Sequence, residues 1–371
     1  MMLRIGNLII KELIQFRRDR LLTLFILLAP ALQLLLLAQA IERGISEQPV
    51  VILDLDRSYQ SRSLIAKLDN TEELHVQYHV ESPDEMGDLL DKGSARLAVV
   101  IPAGFARDLA DATAAPSIQV IADATNTMAA SITMSTAGGV VSRFATDLAA
   151  DRGFIVPEFI DFRSNIRFNP TLDLRAYSIP AQLGFITYQV TLAVAALGLA
   201  RERELGTLEQ LMVTPLGRLE LTVGKGTPAI AIGGGNFVLM WIISLTVFQV
   251  PMNGSPSLLA ALTLLFITAE VSWGLVISAV SRTQQQAILF VFIQAMVDMT
   301  FSGFMVPVKN MPALLQVISR VAPLQHYLSI VRGIMLKGAG LGELWPNVVA
   351  LILLSAGMGL IALRSVSRRL A

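Results

Sequence analysis

Two acidic residues lie inside long apolar runs, where a charged side chain has few partners. Glu270 falls about midway along the run near 257–280, and Asp298 about midway along the run near 286–306. If these runs cross a bilayer, each charge would cost roughly 2.5–3.5 kcal/mol on insertion scales, so each carboxyl should face protein or water, be paired, or be protonated. Two interpretations stay open for each residue: a substrate or ion pathway, or a structural polar contact between helices.

Uncharged polar residues extend this set of pathway candidates. They are Gln182, Tyr188 and Gln189 in the run near 179–200, and Asn236 in the run near 226–250. All four could line a cavity. For Asn236, the glycines at 233–235 favour close packing of helices instead, because glycine lets two backbones approach each other.

Patterns typical of catalysis have weak support in this chain. Asp54 and Asp56 at a strand end resemble a metal or phosphate site, and His75 and His79 share a face, but their segment alternates like a solvated strand. The glycines around Lys225 lack the order and spacing of a phosphate-binding loop. There is no cysteine, which excludes disulfides and thiolate metal sites. We expect no catalytic, cofactor or metal site here.

The charge distribution divides the chain into two regions. Residues 41–178 contain 12 Lys or Arg and 20 Asp or Glu, so the remainder holds 17 and 9 of the 29 residues of each sign. The chain is 53% hydrophobic with a mean hydropathy of +0.60, which is too apolar for an ordinary soluble protein. The pattern predicts a membrane protein with one translocated acidic domain.

Six apolar runs are long enough to cross about 30 Å of hydrocarbon. Most of the flanking Lys and Arg residues fall on one side, which predicts that both termini are cytoplasmic and that residues 41–178 are extracytoplasmic. The sequence therefore predicts a polytopic α-helical membrane protein with six transmembrane helices and an inserted extracytoplasmic α/β domain between the first and second spans. The spans lie near 21–40, 179–200, 226–250, 257–280, 286–306 and 345–363.

Residues 1–20 form a predicted amphipathic helix that enters the first span. It is either an interfacial cytoplasmic helix or a cytoplasmic extension of that span. Ala38 and Ala40 after the apolar run resemble a signal-peptidase site, but a run of about 20 residues is too long for a signal peptide. We therefore interpret 21–40 as a retained span.

The inserted domain, 41–178, alternates predicted strands and helices. Short runs rich in Val, Ile and Leu predict strands at 49–56, 74–80, 95–101 and 117–123, with helices at 58–69, 83–90 and 104–112. Residues 126–151 suit a long helix rising from or returning to the membrane. Asn169 and Pro170 mark the predicted re-entry into the membrane.

The link between the second and third spans, 201–215, predicts a short amphipathic helix. Leu205, Leu208 and Leu211 fall on one stripe, charged residues of both signs cover the rest, and Pro215 ends it. Such a helix could be an elbow on the lipid headgroups. Its acidic residues favour a groove on a protein instead.

This link resembles the coupling-helix region of the ABC-2 type transporter permeases, the membrane subunits of ATP-binding cassette exporters. Further stretches resemble the same family: 281–286 (SRTQQQ), 302–312 (SGFMVPVKNMP), 323–338, and Phe168 with Asn169 and Pro170. The resemblance covers essentially the whole chain. Within the family, the chain most resembles bacterial multidrug efflux permeases of the type V exporter-like fold, which have a large extracytoplasmic domain.

The resemblance implies a mechanism and a set of partners. Two permease subunits, identical or related, would form the pathway in a bacterial inner membrane, and a separate cytoplasmic ATPase dimer, with its own ATP and magnesium, would receive the link. Gly206 would be a bend or a point of close approach, and 307–341 would hold re-entrant helices in the outer leaflet. The implied coupling residues are Arg201, Glu202, Arg203, Glu204, Leu205, Gly206, Thr207, Leu208, Glu209, Gln210, Leu211 and Pro215.

Other functions and partners stay open. A drug-like, amphipathic or lipid-like substrate fits the pathway candidates, membrane lipid is an expected partner, a periplasmic adaptor could dock on 41–178, and no nucleic-acid partner is expected. The alternatives are an ion-coupled secondary transporter using Glu270 and Asp298, and a non-transporting membrane scaffold for the extracytoplasmic domain.

Overall fold

The fold is described from a computed structural model, which covers residues 2–43, 47–111, 116–125, 127–151, 174–213 and 217–368. The chain divides into two compact units. One, the helical unit, is formed by 1–38 and 166–371, and the other, the inserted unit, by 39–165. The inserted unit overlaps the predicted domain 41–178, but the helix that begins at Leu174 belongs to the helical unit. The motif at 168–170 lies outside the described residues.

The chain starts with two separate helices. Helix α1 (Met2–Arg18) is amphipathic, and α2 (Arg20–Arg43) is apolar around most of its circumference and contains Pro30. Asp19 interrupts the helix between them, so α1 is not an unbroken extension of α2. α1 packs against a later helix of the helical unit through Leu8, which is buried.

The inserted unit is a four-stranded sheet covered by helices. Strands β1 (Gln48–Asp54), β2 (Leu74–Val80) and β3 (Leu97–Ile101) are parallel, β4 (Gln119–Ala122) is antiparallel to β3, and the order is β2-β1-β3-β4. β1 is apolar at successive positions because both of its faces are buried. The helices are α3 (Tyr59–Asp69), α4 (Pro83–Asp91), α5 (Phe105–Ala110) and α6 (Thr127–Asp151).

Two small cores hold this sheet in place. Val50 and Ile52 belong to one buried cluster with Leu64 of α3 and Phe144 of α6, whereas the opposite face of the sheet contributes to a second cluster with Met86 of α4. The long helix expected to rise towards the membrane therefore packs on the sheet along part of its length. Ser58 and Ser82 cap α3 and α4, because each side chain accepts a hydrogen bond from the backbone amide three residues further on.

The rest of the helical unit consists of long apolar helices and a set of short ones. They are α7 (Leu174–Glu204), α8 (Leu208–Met212), α9 (Arg218–Thr246), α10 (Pro256–Val280), α11 (Gln284–Phe301), a 3₁₀ turn (Val308–Asn310), α12 (Ala313–Ser319), α13 (Pro323–Lys337) and α14 (Leu341–Arg368). α7 is central: it packs against α9, α10, α11 and α13. Its apolar residues cover all sides because it is surrounded by protein.

Among the described residues, four helices are long and apolar enough to cross a membrane. They are 175–204, 218–246, 256–280 and 341–366. The predicted span at 21–40 corresponds to α2, of which the described apolar part, Ile26–Leu37, is shorter than a membrane span. The predicted span at 286–306 corresponds to α11, which has 18 residues and is not among the four. These two spans stay predictions.

Glycine and proline explain several local features of the helical unit. A Cβ on Gly274 would lie 2.5 Å from Ala195 Cβ, so glycine is needed where α10 crosses α7. Of the three glycines before Asn236, only Gly233 is in a close contact, against Thr191, whereas Gly234 and Gly235 face open space. In 307–341, α12 and α13 begin directly after Pro312 and at Pro323, where proline fits the first turn of a helix.

Candidate coupling segment and buried polar sites

The coupling segment is not the single helix that its sequence predicts. Residues 201–204 form the last turn of α7, and the helix resumes only at Leu208. Gly206 has φ +70°, and the amides of Gly206 and Thr207 donate to the carbonyls of Arg203 (3.1 Å) and Glu202 (2.9 Å). A glycine with positive φ and these two backbone hydrogen bonds is a Schellman motif, which commonly ends an α-helix. The motif forms the bend expected at Gly206.

The bend also divides the predicted leucine stripe. Leu205 is 58% exposed, whereas Leu208 is half-buried and packs against the cluster that contains Leu8 and Leu221. The prediction that Leu205 and Leu208 share one apolar ridge is therefore wrong. The side chain of Leu211, like Pro215, lies outside the described residues. We define the exposed tip as the exposed residues of 204–210: Glu204, Leu205, Gly206, Glu209 and Gln210.

A buried ion network lies directly behind the exposed tip. Glu202 is 2% exposed and Lys225 of α9 is 4% exposed. Lys225 Nζ lies 3.1 Å from Glu202 Oε1 and 2.6 Å from Glu12 Oε1, and Lys11 Nζ contacts the same oxygen of Glu202. The Thr207 hydroxyl donates to the other oxygen of Glu202. The network therefore joins α1, α7, α9 and the bend through opposite charges that neutralise one another.

Sequence reasoning missed this network. The sequence places Lys11 in the predicted N-terminal helix and Lys225 beside a predicted span, but it predicts an acidic partner for neither lysine and no role for Glu12. One signal was available: a lysine at the edge of an apolar run, such as Lys225, is expected to need a partner. Nothing local identifies which acidic residue that partner is.

A second set of contacts ties the segment to the start of α11. The guanidinium of Arg203 donates to the carbonyls of Ala279 (3.2 Å) and Ser281. Glu204 Oε2 accepts from the backbone amide of Gln284 (2.8 Å) and from its side chain (3.2 Å). The motifs at 201–215 and 281–286, recognised separately in the sequence, thus meet in the structure. Movement at the end of α7 would be transmitted to α10 and α11.

The first charged residue of the segment, Arg201, contacts the break before α2. Arg201 Nη1 lies 3.3 Å from Asp19 Oδ2, and both side chains are about a third exposed. Together with the ion network, this pair fixes the end of α7 relative to the N-terminal helices. The base of the segment is therefore held from several sides while its tip is exposed.

Three of the predicted pathway residues meet inside the helical unit. The Tyr188 hydroxyl donates to Asp298 Oδ2 at 2.6 Å, and Gln294 Nε2 donates to the same oxygen at 2.9 Å. Glu270 is 2% exposed, and its Oε1 accepts no hydrogen bond from any residue that the structure describes. Both carboxyl groups line one cavity of about 400 Å³.

The other predicted pathway residues lie elsewhere. Asn236 is fully buried and donates to the carbonyl of Ile26 in α2 (3.2 Å), which favours the packing interpretation. Gln182 and Gln189 are half-buried on α7, and neither is among the described residues that line the cavity next to Glu270. These three do not form one site with the two carboxyl groups.

The acidic pair in the inserted unit stabilises loops. Asp54 accepts from the amide of Arg57 (2.9 Å) and the hydroxyl of Ser61 (2.7 Å). Asp56 accepts from the amides of Gly104 (2.9 Å) and Ala106 (3.0 Å) at the start of α5. These bonds occupy the oxygens that a metal or phosphate site would use.

His75 and His79 lie on the exposed face of β2, as the strand alternation predicts. Within the described ranges, no three His, Cys, Asp or Glu side chains are grouped as a metal ion would require.

Long apolar helices with buried polar contacts between them define a polytopic membrane protein, and comparison with known proteins specifies the family. The chain matches the family model described as ABC-2 family transporter protein over residues 20–364. It therefore belongs to the ABC-2 family of transporter proteins.

Its curated relatives match along almost their whole length. The chain is 30% identical to the probable multidrug ABC transporter permease YbhR of Escherichia coli strain K12, over 96% of each chain. It is 28% identical to the probable multidrug ABC transporter permease YbhS of the same strain, over 94% of this chain and 93% of the relative. The inner membrane transport permease YhhJ, also from that strain, is 28% identical over 97% and 96%. All three are named as permeases.

Proposed function

We propose that this chain is the membrane-spanning permease subunit of an ATP-driven exporter. Family membership and the permease names of its relatives support a transport subunit whose ATPase, with ATP and magnesium, is a separate protein. A second permease subunit, identical or related, completes the pathway. The multidrug relatives favour a drug-like, amphipathic or lipid-like substrate.

The observation that carries this proposal is an exposed tip on a rigid base. Leu205 is an exposed apolar side chain between Glu204 and Glu209, which suits docking into a groove on the ATPase. Behind it, the ion network connects the segment to α1 and α9, Arg203 connects it to the end of α10, and Glu204 connects it to α11. Movement of the ATPase against the exposed tip would therefore be passed on to the membrane helices through these side-chain contacts.

The proposed orientation follows from charge. Both termini and the exposed tip are cytoplasmic, and the acidic inserted unit is extracytoplasmic in a bacterial inner membrane, where a periplasmic adaptor could dock on it. The short helices of 307–341 occupy the outer leaflet. They contain Pro307, Pro312 and Pro323, which prevent one continuous span.

The test replaces Leu205 by Asp in the permease reconstituted in liposomes with its ATPase. We expect Leu205→Asp to leave insertion intact and to reduce substrate-stimulated ATP hydrolysis and transport by about tenfold or more, because a buried charge would replace an apolar contact at the interface. The matched control is Leu219→Asp, an exposed leucine in the first turn of α9. Equal hydrolysis and transport in both variants would refute docking at the tip.

A second candidate function is ion-coupled secondary transport. The observation in its favour is the pair of buried carboxyl groups, Glu270 and Asp298, at one cavity. This candidate predicts transport in liposomes that lack the ATPase and its collapse on addition of a protonophore. Transport that requires the ATPase and survives the protonophore favours the exporter.

A further inference from the structure

The cavity beside Glu270 has the size and composition of a ligand site. Its volume of about 400 Å³ falls in the range of small-molecule pockets, roughly 300–1,000 Å³. α10 contributes Glu270 and Trp273, one helical turn apart, and α11 contributes Gln294 and Asp298. The remaining wall is apolar and comes mainly from α14.

The charge in this cavity is unbalanced within the described part of the chain. Asp298 is 5% exposed and uses its Oδ2 to accept from both Tyr188 and Gln294. Glu270 Oε1 is buried without a donor, and no described Lys or Arg forms a salt bridge with either carboxyl. A carboxylate that is ionised away from water requires a countercharge, so the ionised form of this cavity is complementary to a cation, which would replace the proton of a neutral carboxyl.

The apolar wall restricts what kind of cation fits. The indole of Trp273 lies next to Glu270, and an aromatic face attracts organic ammonium and phosphonium groups. Leu353 of α14 lines the cavity and is also 67% exposed on the surface of the unit, so the wall is continuous with the exposed apolar surface of α14. A small hydrated metal ion would leave these apolar contacts unused.

We propose that this cavity binds an amphipathic organic cation that enters from the membrane. Glu270 supplies the countercharge, Asp298 is held in place by Tyr188 and Gln294 as a second acceptor, and the apolar body of the ligand packs on α14. As a substrate class this deepens the proposed export function and rests on it, but binding can be measured with no ATPase present.

The binding test uses the purified full-length chain in detergent and two ions of one shape, tetraphenylphosphonium and tetraphenylborate. We expect saturable binding of the phosphonium only. Glu270→Gln, which keeps the side-chain shape, should weaken phosphonium binding about tenfold or more, and Asp298→Asn should weaken it less. The matched control is Glu343→Gln, an exposed carboxyl in the first turn of α14, with unchanged affinity.

A second variant tests the cavity by volume while both carboxyl groups remain. A Cβ added at Gly357, in the α14 wall, meets no atom within 4 Å, so Gly357→Leu should fill the space without distorting the helix. It should weaken phosphonium binding at least fivefold. Gly359→Ala, outside the wall, is the control, because its Cβ meets only Ser272 at 3.8 Å.

The outcomes separate this inference from the export function. No saturable phosphonium binding, equal binding of both ions, or unchanged affinity in Glu270→Gln and Gly357→Leu would overturn the inference. Charge-selective binding that these two variants weaken, in a chain that transports nothing with its ATPase, would uphold the cation site and refute the exporter. ATP-driven transport with no phosphonium binding would uphold the exporter and refute the cation site.

Discussion

Two buried groups of charged residues in the helical unit differ in how their charges are balanced. Around Glu202, the chain supplies Lys11 and Lys225 as counterions and Thr207 as a donor. Around Glu270, neutral donors reach only Asp298, and Glu270 Oε1 has no donor among the described residues. A network that is neutral within itself has a structural role. A buried carboxyl without a counterion is complementary, in its ionised form, to a cation from outside the chain.

This difference matches the two ends of the proposed mechanism. The balanced network lies behind the exposed tip, where movement of the ATPase would have to be passed on to the membrane helices. The unbalanced pair lies at a cavity between α10, α11 and α14, where a ligand could bind. The network around Glu202 is thus suited to transmit movement from the ATPase, and the cavity beside Glu270 is suited to bind a ligand.

The largest expected effect comes from breaking the balanced network with Lys225→Met. Glu12 and Glu202 lose a buried counterion, and we expect the free energy of unfolding to fall by about 3 kcal/mol, the low end for a broken buried pair because Lys11 remains. Denaturant unfolding in detergent measures this change. Lys92→Met is the control, since Lys92 and Asp88 form an exposed pair worth under about 1 kcal/mol. Equal losses in the two variants would show that the network is not structural.

A smaller effect is expected at Asp56, a carboxylate balanced by backbone amides. The hydroxyl of Ser58, together with the amides of Ala106 and Gly104, holds the pKa of Asp56 below its ordinary value of 3.8. Its stabilisation should be complete above that value and be lost as the pH falls through the lower folded pKa. Asp56→Ala should destabilise α5 by about 1 kcal/mol at pH 7.

Amide exchange of α5 in the full chain, corrected for intrinsic rates, measures the effect of Asp56→Ala. In the parent chain, local opening of α5 should increase as the pH falls below about 4, because Asp56 becomes protonated. In Asp56→Ala, this pH-dependent increase should be absent. Asp88→Ala, which removes an exposed carboxyl, is the control. Identical α5 protection in parent and Asp56→Ala chains would contradict the capping role.

The smallest effect is expected at the unbalanced site. Glu270→Gln removes a charge without removing a hydrogen bond to Oε1, so unfolding free energy should change by less than about 1 kcal/mol or increase. The measurement is the same denaturant titration used for Lys225→Met. A loss as large as that of Lys225→Met would mean that Glu270 has a structural counterion, and the comparison would fail.

Local features were predictable from the sequence, and long-range pairings were not. The predicted strand at 74–80 matches β2, and the predicted helices at 58–69 and 83–90 match α3 and α4 to within one residue, because periodicity is encoded within a few residues. Gly206 was expected to bend the chain, but the Leu205 and Leu208 stripe assumed that the helix continued through it.

The candidate sites show the same limit. Glu270 and Asp298 stood out because each interrupts an apolar run, yet only the fold shows that Tyr188, 110 residues from Asp298, donates to it. Likewise, 213 residues separate Lys225 from Glu12. Pairings at such distances depend on which helices pack together, and no local pattern carries that information.

The central claim, that the exposed tip docks on the ATPase, can be tested by chemical protection. The chain contains no cysteine, so Leu205→Cys gives one reactive thiol at the tip, and Leu219→Cys gives a matched thiol on α9. We expect a maleimide to label both in the isolated permease and the bound ATPase to protect the thiol at 205 at least tenfold while the thiol at 219 stays reactive. Equal labelling at 205 with and without the bound ATPase would contradict the account.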